Sequence, residues 1–276
     1  MVIRLKLDQE KFDQVKEIQL EILLEFDRIC KENEIHYNIY YGTMLGAIRH
    51  QAFIPWDDDI DLAMTRENYD KFLAIYEGKL ARDYFVQDFE TDPDYPRQFI
   101  RIRKNGTKYL QRYYKNFDIH HGVFIDVFPY DHVYLDQNKE KYRYKYLKVL
   151  NRLNVIKHFG VKSDASSIKK GIQKLIDRLI PTLGLKKHIR KVMTKRNHDN
   201  LNYMTDMTLT SDPKLLKNYL IKEEEFLDSV MVEFENYEFR VPRNYDKYLT
   251  QLYGEYMKYP PKEERVPHHE VVEIEL

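Results

Sequence analysis

The stretch Asp57-Asp58-Asp59-Ile60-Asp61, followed by Leu62-Ala63-Met64, constrains this chain more than any other. Side chains alternate across a strand, so a strand here sends Asp59 and Asp61 to one face and Ile60 and Leu62 to the other. Two carboxylates then converge on one point. Like charges that close drive one of the pair to protonate unless a cation lies between them. A divalent cation resolves the conflict, and an oxygen-only ligand set suits Mg²⁺, or Mn²⁺, held by one or two carboxylates, waters and the phosphates of a substrate. Asp57 and Asp58 precede the strand and suit a turn or cap as well as a ligand set.

Residues 122–128 form a second apolar, β-branched run, interrupted by Asp126 and expected to stop at Pro129. An unpartnered ionised carboxylate inside such a strand is costly, so Asp126 either pairs with an arginine or joins a metal site. Between residues 36–41, read as a strand, and the helical spacing of Met44, Leu45 and Ile48 lies Gly42-Thr43. Glycine there permits close backbone approach, threonine can cap, and free N–H groups at a helix start attract phosphate. Arg49, His50, Arg101 and Arg103 are the cationic candidates for such phosphates, although each also reads as an ordinary surface ion pair. Arg101 and Arg103 share a strand face.

Around these motifs, apolar spacing predicts a helix over 9–32, another over 69–80, and strands at 97–103 and 107–111 joined as a hairpin at Asn105-Gly106. Strands at 226–232 and 237–241 flank Glu235-Asn236, and a helix over 245–253 stops at Gly254. His120-His121 and His268-His269 are adjacent pairs, which strand alternation would send to opposite faces, so no shared metal site is expected from them. Phosphate-loop, dinucleotide, zinc-protease and zinc-cluster patterns are absent.

Lys+Arg and Asp+Glu both number 45, so no net field favours nucleic acid as a partner. The balance conceals a dipole: residues 139–196 hold 18 Lys/Arg against 3 Asp/Glu. Two stripes are expected there, one of Tyr142, Tyr146, Val149, Leu150, Leu153 and Ile156, the other of Ile168, Ile172, Leu175, Ile176 and Leu179, with a third helical piece around 189–196. The region reads either as a helical subdomain with solvated basic faces or as a platform for an anionic membrane surface. A lone cysteine, Cys30, and an N-terminus of residues 1–6 without an apolar leader indicate a reducing cytoplasm. No segment approaches the ~20 apolar residues that cross a bilayer, so membrane contact is expected to be peripheral.

The motif Tyr41-Gly42-Thr43-Met44-Leu45-Gly46-Ala47-Ile48-Arg49-His50, followed by Phe53-Ile54-Pro55-Trp56-Asp57-Asp58-Asp59-Ile60-Asp61, resembles the signature of the LicD family of phosphocholine transferases, which is related to the fukutin group. Gly122-Val123-Phe124-Ile125-Asp126-Val127-Phe128-Pro129 resembles the family's second motif. Val241-Pro242, Tyr253-Gly254-Glu255-Tyr256-Met257 and Pro260-Pro261 resemble its C-terminal block. The resemblance covers about 10–262, least strongly in 139–215. Tyr40 departs from it, since relatives often carry a small residue there.

That resemblance implies an α+β fold: a nucleotidyltransferase-like core of a small mixed β-sheet flanked by helices, with an inserted basic helical subdomain. The expected division is a catalytic core over 1–138, the basic subdomain over 139–215 and a C-terminal segment over 216–276 that returns to the core. The resemblance puts Gly42 and Thr43 at the phosphate turn and Asp59, Asp61 and Asp126 at the metal, which favours metal over ion pair for Asp126. Arg49, His50, Arg101, Arg103 and Trp56 are the candidate substrate contacts, Trp56 through the attraction of a quaternary ammonium to an aromatic face. The implied reaction moves phosphocholine from CDP-choline to a sugar hydroxyl of a lipid-linked glycan or teichoic-acid precursor at the cytoplasmic leaflet, with release of CMP. Rival readings are a transferase using another CDP-alcohol or nucleotide donor, and a non-catalytic glycan-binding helper.

Overall fold

A computed structural model describes residues 9–160, 166–209 and 212–276. The N-terminal residues 1–6, and Lys162 and Asp164 of the basic stretch, lie outside the described residues. The fold is α+β. Helix α1 (Gln9–Glu32) has the predicted extent and buries Phe12, Val15, Ile22, Leu23, Phe26, Ile29 and Cys30 along one stripe. Each large side chain so buried contributes about 1.5–3 kcal/mol. The chain continues through β1 (Asn38–Ile39), α2 (Tyr41–His50), β2 (Asp61–Thr65), α3 (Arg66–Ile75), β3 (Tyr84–Gln87), β4 (Ile100–Lys104), β5 (Lys108–Gln111) and β6 (Phe124–Val133). Helices α4 (Gln137–Phe159), α5 (Ser167–Leu179) and α6 (Thr182–Met193) follow, then β7 (Tyr203–Asp206), α7 (Pro213–Leu216), β8 (Ile221–Lys222) and α8 (Glu223–Leu227). The chain closes with β9 (Ser229–Phe234), β10 (Tyr237–Pro242), α9 (Tyr245–Tyr253) and β11 (Val271–Glu275).

Seven strands form the central sheet in the order β1-β2-β6-β4-β3, with β7 pairing β6 further along the same edge as β4, and β8 pairing β7. Among the described strands of this sheet, only β2 and β6 run parallel. The strand expected to stop at Pro129 instead continues to Val133. Proline is tolerated because β4 pairs β6 up to Val127 and β7 pairs it from Tyr130, so Pro129 falls in the gap between the two neighbours.

The expected hairpin between β4 and β5 does not form. Residues 105–106 do turn, yet segment 120–123 enters between the arms: Lys104 N–H donates to the Val123 carbonyl at 2.8 Å and Tyr109 N–H to the His121 carbonyl. Strand β5 pairs β11 instead. The β9–β10 hairpin does form, with Glu235 and Asn236 at φ 52° and 64°, the left-handed pair that a two-residue turn requires.

The basic region departs from its expected stripes. A second apolar cluster joins Val133, Tyr144, Leu147, Leu150, Leu185, Ile189 and Met193, so α4 buries Tyr144 and Leu147 and exposes Tyr142, Tyr146 and Val149. Lys186 is fully buried and donates to the Pro93 and Tyr95 carbonyls, which removes it from any basic surface. The stretch also returns β7 to the central sheet. Among the described residues no helix is long and apolar enough to cross a membrane.

Candidate active site

The site is built where β2 and β6 start side by side. Asp61 stands in register with Asp126, and Asp126 N–H donates to the Ile60 carbonyl at 2.8 Å. The first turn of α2 clamps that point. Thr43 Oγ1 accepts Asp61 N–H at 2.8 Å, the Gly42 N–H hydrogen-bonds the Asp61 carboxylate, and Tyr40 N–H donates to the Asp61 carbonyl. Thr43 therefore secures the strand rather than capping the helix, whose N-cap, Tyr40, has no side-chain cap bond. Tyr40 itself is buried against Tyr41, Tyr130 and Phe226, filling the space behind the turn. A Cβ on Gly42 would lie 2.7 Å from Asp57 Oδ2; glycine is the residue that lets this carboxylate in.

The acidic loop is held from its other side by α1. Gln19 Nε2 donates to the Asp58 carbonyl at 2.8 Å, and Lys16 Nζ reaches the Ile54 and Pro55 carbonyls. Asp58 is fully buried and saturated: it accepts from the Tyr109 hydroxyl at 2.9 Å, from the backbone N–H groups of His268 and His269, and from His269 Nδ1 at 3.2 Å. Burial alone would raise its pKa, but these donors and the His269 charge outweigh burial and hold it below the usual carboxylate range. Asp58 anchors the C-terminal segment to the acidic loop.

The remaining carboxylates repel one another. Burial, then the charges of Asp59, Asp126 and Asp57, push Asp61 well above the usual range. Burial, then Asp57, with Asp58 and Asp126 adding, does the same for Asp59. Burial and Asp58 raise Asp57 to about 6. Among the described residues no lysine or arginine forms an ion pair with Asp59 or Asp61. Asp57 Oδ1 is buried without a hydrogen-bond partner. Two overlapping sets, Asp57/Asp59/His268 and Asp58/Asp59/His269, bring ligand atoms within 4.8 Å of one another. Crowded carboxylates, an orphaned oxygen and histidines alongside fit a divalent cation.

For Asp126, of the two alternatives, the arginine pairing is the one the structure forms. Arg101 grips it through both oxygens, at 2.7 and 3.2 Å, while its charge still raises Asp59 and Asp61. Arg101 also donates to Gln111 Oε1 at 2.9 Å and lies over the Phe124 ring at 3.8 Å. Arg103 shares that face, 4.9 Å over Phe124, but its donors go to Gln87 Oε1 and the Gly122 carbonyl. Burial, then Arg101, lowers Arg103 to about 9. It is not brought to the acidic cluster.

Arg49, His50 and Trp56 form a separate group with the C-terminal segment. Arg49 Nη1 donates to the Tyr256 carbonyl at 2.7 Å, His50 meets Trp56 and Tyr259 edge-on, and the Arg265 guanidinium lies over Trp56 at 5.4 Å and over Tyr259 at 5.2 Å. Beside the acidic loop a cavity of about 420 Å³ is lined by Arg97, Arg101, Arg112, Tyr113, Tyr114 and His269.

Sequence reasoning passed over three members of the site. His268 and His269 lie in a bend before β11, so strand alternation does not apply and both rings turn toward the acidic run. Tyr253, at the end of α9, is 44% exposed as a residue, and burial of its hydroxyl, then the charges of Asp61, Asp57 and Asp59, raise its pKa. The histidine pair was a visible signal; Tyr253 was visible only as part of the C-terminal block that resembles the family, with nothing to single it out among 23 tyrosines.

The family model LicD/FKTN/FKRP, nucleotidyltransferase domain, matches residues 34–159, from just before β1 to the end of α4. The lipopolysaccharide cholinephosphotransferase LicD of Haemophilus influenzae is 30% identical over 255 residues, covering 91% of this chain and 92% of that protein. The chain belongs to the LicD family. It is accordingly a transferase. Two uncharacterized proteins, of Rickettsia typhi (38% identical over 55 residues, 20% of this chain and 18% of the relative) and Rickettsia prowazekii (40% over 48 residues, 17% and 18%), match shorter stretches. The LicD segment 34–159 contains Gly42, Thr43, Asp59, Asp61, Arg101 and Asp126, whereas Tyr253, His268 and His269 lie outside it.

Proposed function

We propose that this LicD-family enzyme transfers phosphocholine from CDP-choline to a sugar hydroxyl of a lipid-linked glycan or teichoic-acid precursor at the inner face of the plasma membrane, on a nucleotidyltransferase-like core. The observation that supports the reading is the crowding of Asp57, Asp58 and Asp59 against His268 and His269, with Asp61 and Asp126 in register on the adjoining strands and, among the described residues, no lysine or arginine paired with Asp59 or Asp61. A diphosphate donor with its divalent cation is the kind of ligand such a centre lacks.

Asp59 and Asp61 would hold Mg²⁺ or Mn²⁺, with Asp57 as a further oxygen. The cation would neutralise the diphosphate and ease departure of CMP. The acceptor oxygen forms a bond to the phosphorus carrying choline, the bond from that phosphorus to the CMP oxygen breaks, and the hydroxyl proton passes to a carboxylate oxygen. Asp126, aimed by Arg101, stands on the neighbouring strand to take that proton. Arg97, Arg101 and Arg112 line the adjoining cavity and supply positive charge to the phosphates. Trp56 is the aromatic face proposed for the choline head, which would have to displace the Arg265 guanidinium now lying over it.

Incubating the purified chain with CDP-choline, CDP-glycerol or CDP-ribitol and a glycan acceptor, with Mg²⁺ or with chelator, tests the reading. CMP release is expected from CDP-choline, only with the cation, and Asp61→Asn should lower turnover about 100- to 1000-fold while leaving the circular dichroism spectrum intact. Release from another CDP-alcohol alone would reassign the donor, and full activity of the Asn variant would sink the metal site.

A further inference from the structure

Helix α5 is turned inside out relative to an ordinary surface helix. Ile168, Ile172, Leu175 and Leu179 follow an i, i+4, i+7, i+11 spacing, which places them on one stripe. Core packing normally claims such a stripe, yet here the four side chains are 76%, 52%, 56% and 65% exposed. None of them belongs to either large apolar cluster. The helix is held by its opposite side: Asp177, about half a turn from the stripe, pairs with Lys157 of α4 at 3.6 Å, and Gln173, four residues earlier, lies against Gly160. Arg178 lies exposed on one flank of the stripe, about a quarter turn from its centre, and Lys174 lies further round on the same side, whereas Lys170 is on the back near Asp177.

We propose that α5 is an interfacial helix that inserts its Ile168/Ile172/Leu175/Leu179 stripe into the headgroup boundary of an anionic phospholipid membrane, with Arg178, and Lys174 behind it, reaching the phosphates from one edge. A polar back, an apolar front and a cationic edge are what such helices require, and the charges match a negative leaflet. A second copy is a poor occupant. Antiparallel self-association through this face would set the cationic flanks of two copies against each other. One face of a 13-residue helix, about 20 Å long, offers far less than the ~800 Å² per partner of a stable interface. The proposal rests on the lipid-linked acceptor only for its purpose; the physical claim concerns lipid binding and is read without donor or acceptor.

The test is flotation of the full chain with phosphatidylglycerol/phosphatidylethanolamine vesicles and with pure phosphatidylcholine vesicles, at low and high salt. Wild type should float with the anionic vesicles and lose partition as salt rises. Ile172→Ser/Leu175→Ser/Leu179→Ser should lower partition at least ten-fold, and Lys174→Glu/Arg178→Glu should lower it on anionic vesicles. Leu175→Trp should give a blue-shifted emission with anionic vesicles, compared with the parent chain and its single Trp56. Circular dichroism and the urea midpoint check that these exposed-site variants stay folded. Wild type that fails to float, a serine variant that floats undiminished, or no blue shift would overturn the proposal. A dimer by light scattering that the serine substitutions dissolve would assign the face to a second copy instead. CMP release failing while flotation succeeds would remove the transferase reading and leave this one standing.

Discussion

Gly42 shows how one missing methyl group governs the chemistry around it. Any β-carbon there meets Asp57 Oδ2 at 2.7 Å, and the Asp57 side chain is buried. Gly42→Ala should therefore fold, since a helical alanine is intrinsically favourable, but should displace Asp57. Turnover is expected to fall about 10- to 100-fold with little change in melting temperature, checked by paired activity and thermal-unfolding measurements. The same residue was legible in the sequence as a point of close approach, although with phosphate rather than a neighbouring carboxylate as the expected visitor. Asp59 and Asp61 were legible for a different reason: alternation along an extended chain is a local rule, although β2 itself begins at Asp61 and leaves Asp59 in the segment before it.

Among elements, β6 does the organising. Its Asp126 pairs with Arg101 near the acidic cluster, and five residues further on Asp131 pairs with Arg66 through two bonds of 2.9 Å, both groups fully or nearly fully buried. Removing one partner of such a pair leaves an uncompensated charge in the interior. Arg66→Met is expected to cost about 3–5 kcal/mol in urea unfolding without changing the KM for the nucleotide donor. Arg101→Met should cost a similar amount and also reduce turnover, because Asp126 loses its aim. Short-range turn chemistry made the β9–β10 hairpin readable from Glu235-Asn236. Asn105-Gly106 carried as strong a signal and still did not join β4 to β5, since segment 120–123 competed for the same backbone groups. A turn sets a local reversal; partners for the strands are chosen by everything else that reaches them.

At the scale of the whole molecule, buried acids set the pH response. Asp206, on β7, is raised to about 6 by burial, against hydrogen bonds from Thr208 and Tyr41 that pull the other way. Its unfolded value lies near ~3.9, so the folded state binds more protons between about pH 4 and pH 6, and stability falls as pH rises through that window. The cost of ionising it is about 3 kcal/mol by pH 7. Asp206→Asn, which keeps an acceptor for Thr208, should flatten that slope and raise the melting temperature at pH 7, measured by thermal unfolding across pH 4–8. By itself the sequence determined the local facts: the extent of α1, the alternation that pairs Asp59 with Asp61, the Glu235-Asn236 turn, and the family signature around Gly42 and Asp126. Tertiary structure alone decided that Arg101 and Asp126 meet, that β5 seeks β11, that His269 arrives at Asp58 from more than 200 residues away, and that α5 shows its apolar side to the outside. Periodicity and turn preference act over a few residues, whereas these outcomes depend on which distant groups compete for the same space, charge and hydrogen bonds.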